Sequence, residues 1–151
     1  MKMQIASRLA IFALLDLASE SERQLSVSEI GQKYGVSSHH LAKVMNTLGR
    51  AGLVHSVRGA HGGYQFSGNA RRTTLLDVIE LFEHFGSADG DSAGPWDATG
   101  EGRALRRILG EVDDIARATL GSITIATMLK MMAAKREEKR DQGRGRGSSQ
   151  R

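Results

Sequence analysis

One run of side chains places hydrogen-bond donors at helical spacing with no acid among them: His39, Lys43, Asn46 and Arg50, preceded by Ser37, Ser38 and His40. Advancing about 100° per residue along Ser38–Ala51 gathers those four on one arc and Leu41, Val44, Met45 and Leu48 on the opposite one. The polar arc suits a surface built of acceptors. Lysine matches phosphate oxygens or guanine, arginine matches the guanine major-groove edge, and asparagine can bond adenine bidentately. The N-terminal part of such a helix usually meets base edges. Ser38, His39 and Lys43, with His40 at the margin, are therefore base-reading candidates, and Asn46 and Arg50 are backbone candidates. Any surface helix has a polar face, so the assignment rests on what surrounds this one. Metal binding by His39 and His40 is rejected, because adjacent residues on a helix diverge by about 100° and no further ligand lies nearby.

The elements that must position this face are legible on both sides. Ser26-Val27-Ser28-Glu29 is a capping box, in which the serine hydroxyl takes an orphan N–H and the glutamate reaches back. Ile30 and Tyr34 share a face, Gly35 suits the left-handed position that ends a helix, and Ser37 caps the next helix. Two helices joined by about three residues that include glycine have helix-turn-helix spacing; Ser28 and Ser37 join the contact set. Leu53–Val57 and Tyr64–Phe66 are extended by composition. Between them, Arg58-Gly59-Ala60-His61-Gly62-Gly63 carries three glycines in six residues and reads as a reversing loop. The result is a small two-stranded wing. Arg58 and Gly59 at its base suit a narrow minor groove, and His61 sits at its tip.

The remaining chain supplies a frame. Residues 4–19 read as a buried helix with Ile5, Leu9, Phe12, Ala13 and Leu15 inward. Thr74 caps a short helix through Phe85. Gly86 to Gly102 is a glycine-rich acidic loop holding the only proline, Pro95, and the only tryptophan, Trp96. From about Arg103 to Ser122 a long helix carries Leu105, Ile108, Leu109, Val112, Ile115, Ala116 and Leu120 along a seam of nearly three heptads. A last helix, Ile125 to Ala134, is expected to fade into a disordered basic tail.

Charge follows the same division. Residues 1–72 carry 9 Lys and Arg against 4 Asp and Glu, residues 73–134 carry 5 against 10, and residues 135–151 carry 7 against 3. A basic front favours polyanions through counterion release, whereas the acidic middle must face away from them. We therefore expect a winged helix-turn-helix over 1–72, a connecting helix, acidic loop and long dimerisation helix over 73–134, and a tail over 135–151. The fold class is mainly α. With 40% hydrophobic and 25% charged residues the chain has the composition of a globular domain. The apolar run Leu9–Leu15 is too short to span a bilayer, and the expected location is cytoplasmic. The 151 residues include no cysteine, which excludes disulfides and thiolate-held metals. No nucleophile elbow, phosphate loop or framed acid pair supports an enzyme.

Taken together, the residues resemble the winged-helix repressors that include IscR and NsrR. The resemblance is carried by Tyr34-Gly35-Val36-Ser37, by Leu41 to Leu48, by Ala51-Gly52-Leu53-Val54, and by Val57-Arg58-Gly59 with Gly62-Gly63-Tyr64. It is closest to the nitric-oxide-sensing NsrR branch. It implies a homodimer held by the long helix and a palindromic operator in double-stranded DNA. It also implies an iron–sulfur cluster on three cysteines in the loop before that helix, at positions falling near Asp91, Trp96 and Gly102. No cysteine stands there, and carboxylate cannot replace three soft thiolates, so no cofactor is expected.

Two further features of the loop bear on ligand binding. Asp89-Gly90-Asp91-Ser92-Ala93-Gly94 begins like a calcium loop, but Ala93 and Gly100 occupy positions that need oxygen ligands. Trp96 either packs against the long helix, the favoured reading, or stacks on an effector or partner. The function expected is a sequence-specific DNA-binding regulator, a repressor acting as a homodimer. The alternative is a winged-helix module that binds a partner protein through its acidic half.

Overall fold

The core is assembled around the first helix, α1 (Ile5–Ala18), in a computed structural model that describes residues 3–20, 22–84 and 94–146, with side chains described to residue 140. Leu9, Ala10, Ile11, Ala13, Leu14, Leu15 and Leu17 are all buried, so α1 is apolar over most of its circumference. Ile5 departs from the expected inward face and is 64% exposed. It lies in the first turn, whose N-terminus Glu83 caps. The Glu83 carboxylate accepts from the Gln4 N–H (3.2 Å) and from the buried Ser7 hydroxyl (2.5 Å), and so satisfies the helix N-terminus.

Helix α3 (Ser38–Arg50) packs on α1 and helix α2 (Val27–Tyr34) packs on α3, with Ile30 of α2 and Leu41, Val44, Met45 and Leu48 of α3 all buried in the core. The capping box forms as expected: the Glu29 N–H donates to Ser26 Oγ (3.1 Å) and the Ser26 N–H donates to Glu29 Oε2 (2.7 Å). The Ser26 N–H, and then its hydroxyl, hold the Glu29 carboxyl below the usual carboxylate range. Gly35 ends α2 at φ 66°, a left-handed conformation that glycine adopts without steric cost.

The sheet corrects the expected two strands to three. Strand β2 (Val54–Val57) pairs antiparallel with β3 (Gly63–Phe66), and the two-residue β1 (Gln24–Leu25) adds to the other edge of β3, giving the order β1-β3-β2. Leu25 opposes Tyr64 and Val57 opposes Gly63. This third strand ties the wing to the segment that enters α2.

Helix α4 (Leu75–Glu80) starts at its Thr74 cap but is shorter than expected, turning at Leu81; the predicted end, Phe85, lies outside the described residues. The long helix α5 (Gly100–Ser122) begins a few residues early, after a 3-10 turn at Pro95–Ala98. The junction after α5 is zipped to the body. The Leu75 N–H donates to the Ile123 carbonyl (2.9 Å), the Ile125 N–H to the Thr73 carbonyl (3.0 Å) and the Ala126 N–H to the Ala70 carbonyl (2.8 Å). Ile125 is fully buried. Arg117 on α5 pairs with Glu80 on α4. These contacts set where α5 leaves the body.

Helix α6 (Ile125–Arg146) runs well past Ala134, so residues 135–146 of the expected disordered tail are helical. Their side chains, described to 140, are exposed, and an exposed helix bears no apolar period by which the sequence could reveal it. Among the described residues, no helix is long and apolar enough to cross a membrane.

Candidate nucleic-acid interface

The reading face forms because α3 buries one arc and leaves the other bare. His39, His40, Lys43, Asn46 and Arg50 are all exposed, as are Ser28, Ser37 and Ser38. Ser37 is committed locally: its hydroxyl accepts from the His40 N–H (3.2 Å) and caps α3. That leaves Ser38, His39 and Lys43 exposed at the N-terminal end of α3, with no hydrogen-bond partner for their side chains among the described residues, and Asn46 and Arg50 further along.

The wing stands beside this face. Arg58, Gly59 and His61 are exposed at the β2–β3 turn. The Gly62 N–H donates to the Gly59 carbonyl (3.0 Å), which closes the turn tightly. Between α3 and the wing runs a groove lined by Asn46, Arg50, His55, Ser56 and Tyr64. His55 and Ser56 are exposed there, and sequence reasoning did not assign them to the interface. The available signal was the alternation of β2, in which Val54 is buried and the next residue faces out. A phosphate backbone crossing this groove would meet donors from both elements. Ser28, in the first turn of α2, lies next to the Ser26–Glu29 cap; Glu29, Gln24 and His61 border a second depression between α2 and the wing tip.

The dimerisation candidates separate into two groups. Leu105, Ile108, Leu109, Val112 and Ile115 are between 49% and 68% exposed, an apolar face that no described residue covers. Ala116 is half-buried. Leu120 departs from the seam and packs against the protomer's own core, because the last turn of α5 is already held against the body by the 123–126 junction.

The region before α5 does not have the donors of a thiolate-held cluster. Trp96 and Gly102 occupy two of the positions counted for cysteines, and a Cβ at Gly102 would lie 2.2 Å from the Trp96 carbonyl oxygen. The third, Asp91, and the calcium-like stretch through Ala93 lie outside the described residues. Trp96 is 65% exposed rather than packed on α5 as expected; the turn is held instead by Asp97, which pairs with Arg106 (3.0 Å) and accepts from the Gly94 N–H (2.9 Å). Those two bonds, the Arg106 one foremost, hold the Asp97 carboxyl below its usual range.

Comparison with known proteins agrees with this geometry. Residues 3–131 match the family model described as Rrf2, iron-dependent transcriptional regulator. The chain is 43% identical over 138 residues to the HTH-type transcriptional regulator BadM of Rhodopseudomonas palustris, covering 91% of this chain and 87% of that one. It is 31% identical to the protein rrf2 of Nitratidesulfovibrio vulgaris, covering 86% and 88%. Among solved structures it is similar to CymR, the global cysteine regulator of B. subtilis, with a TM-score of 0.71, 25% identity and coverage of 87% and 98%. It is also similar to T. potens IscR, with a TM-score of 0.63, 28% identity and coverage of 87% and 88%. These likenesses establish the family and not its NsrR branch. The chain belongs to the Rrf2 family of transcriptional regulators and is a DNA-binding regulator of the winged helix-turn-helix class.

Proposed function

We propose that the protein is a homodimeric repressor of a palindromic operator, working without a thiolate-held iron–sulfur cluster. The observation that carries this is the acid-free exposed arc of α3, His39, Lys43, Asn46 and Arg50, standing beside Arg58 on the wing. Each protomer inserts α3 into a major groove and lays the wing along the flanking minor groove. Repression follows from steric occupation of promoter DNA. The uncovered apolar face of α5 supports the dimer, and the absence of cysteine from the whole chain supports the missing cluster. Trp96, exposed beside α5, is open to an effector or partner.

Selection from a random duplex pool with anaerobically purified protein tests this. The enriched sites should be palindromes with half-sites about one helical turn, or a multiple of it, apart. The bound protein should be colourless. The Arg58→Ala variant should weaken binding to the selected site and lower the slope of log K against log salt by about 1. Failure to enrich any sequence removes the operator reading, an unchanged affinity and slope removes Arg58 from the contact set, and a brown protein removes the cluster-free reading.

A further inference from the structure

A cavity of about 340 Å³ opens where the end of α1, the loop after it, α2 and α6 meet, on a part of the molecule separate from the α3–wing groove. Its size is at the small end of the range of ligand sites. One wall is apolar, formed by Leu15 of α1 and by Leu129, Met132 and Ala133 of α6. The rest is ionic, and its charges do not cancel. Asp16, whose side chain is only 10% exposed, is neutralised by Lys33 Nζ at 2.5 Å and also accepts from the Tyr34 hydroxyl at 2.8 Å. Glu20 is neutralised by Arg23 at 3.1 Å. Both carboxylates that line the cavity are therefore committed. Arg136, on the rim from α6, has no ion-pair partner among the described residues.

We propose that this cavity binds a small amphipathic monocarboxylate and that its occupancy tunes DNA affinity. The carboxylate pairs with the uncommitted Arg136, with the exposed Lys33 ammonium nearby, and the hydrocarbon part lies against Leu129, Met132 and Leu15. An anion is selected over a cation because the buried acid already holds two donors. The site has a mechanical consequence. Lys33 lies in the last turn of α2, the first helix of the helix-turn-helix, while Arg136 lies on α6, which the 123–126 junction joins to α5. A ligand held between them links the proposed dimer frame to the reading heads. The coupling to DNA rests on the proposed repressor reading; the binding itself does not.

Isothermal calorimetry on the full-length, DNA-free protein separates the two. The probes are hexanoate, with hexanamide as the neutral analogue and hexylamine as the cationic one. Hexanoate should bind, and the two analogues should bind at least about tenfold more weakly, the loss expected when one charge-assisted contact is removed. The Arg136→Met variant, changed on an exposed surface of α6, should lose hexanoate binding by a similar factor while keeping its melting temperature and its DNA affinity in the absence of hexanoate. Hexanoate should change the DNA affinity of the native protein severalfold and that of Arg136→Met not at all. No binding, equal binding of the amide or amine, or retained binding by Arg136→Met overturns the site. Binding with unchanged DNA affinity overturns the coupling. A protein that binds hexanoate but selects no DNA sequence overturns the repressor reading and leaves the site standing.

Discussion

Asp16 shows how a single side chain sets the orientation of the DNA-reading unit. It is buried near the end of α1 and holds two consecutive residues of α2, Lys33 and Tyr34, with a different oxygen for each. The Tyr34 ring also stacks on Phe12 at a centroid distance of 5.2 Å. Burial, and then the hydrogen bond to Asp16 and its negative charge, push the Tyr34 hydroxyl well above its ordinary value of 10.0. In the unfolded chain that hydroxyl ionises first, so alkali favours the unfolded state. The stabilisation is complete below about pH 10 and is lost as pH rises toward the folded value. Urea titrations between pH 8 and pH 11 should therefore show native stability declining through the upper half of that range. In Tyr34→Phe, which keeps the ring against Phe12, the decline should be shallower, and the difference between the two curves should grow toward neutral pH. Parallel curves would remove Tyr34 as the source.

At the scale of the elements, what was legible in the sequence divides by how much each element buries. Helix α3 was readable to within one residue because its buried arc repeats at 3.6 and both ends carry stop signals, and the exposed face follows as the complement. Helix α2 was equally clear from Ser26, Glu29 and Gly35. Strand β1 was not, since two residues, Gln24 and Leu25, cannot show a period of two. The far half of α6 was missed for the opposite reason: residues 135–140 are exposed, and the glycines and charges of the segment read as a tail. Trp96 was misplaced because an aromatic ring beside a long helix is ordinarily packed, and here Asp97 and Arg106 hold the turn without it. The missed strand explains a glycine that the hairpin alone does not. A Cβ at Gly63 would lie 2.6 Å from the Leu25 carbonyl oxygen and 2.9 Å from the Ser26 nitrogen, so β1 can approach β3 only over a bare α-carbon. Gly63→Ala should cost about 1–3 kcal/mol in denaturant unfolding, the range for overpacking against structure that cannot yield. It should also loosen amide protection at Leu25. Gly110→Ala, on α5 with nothing within 4 Å, is the control. It should be neutral or stabilising by up to about 1 kcal/mol, as for alanine replacing glycine in a helix where its Cβ meets nothing. Equal effects at the two positions would show that β1 imposes no constraint.

For the whole molecule, charge and hydrophobicity are laid out so that one copy is incomplete. The basic 1–72 segment and the acidic 73–134 segment oppose each other in sign, which directs the first toward DNA and the second away from it. That second segment exposes Leu105, Ile108, Leu109, Val112 and Ile115 along α5, a face that a monomer would leave in water. Because none of these five side chains contributes to the protomer's core, the seam can be altered without unfolding the protomer. Val112→Glu places a carboxylate in the middle of it, near Asp113 and Asp114 of the same chain and against its counterpart across a two-fold axis. Sedimentation equilibrium should then show a monomer where the proposed reading expects the native protein to be a dimer, with an unchanged helical circular dichroism spectrum. Affinity for a palindromic site should fall by a factor of about 100 or more, because the second half-site no longer benefits from a tethered partner. Affinity for a single half-site should stay within a few-fold, since α3 and the wing are untouched. A Val112→Glu protein that remains dimeric would place the interface elsewhere than on α5. A monomer that keeps full affinity for the palindrome would show that the two reading heads act independently on DNA.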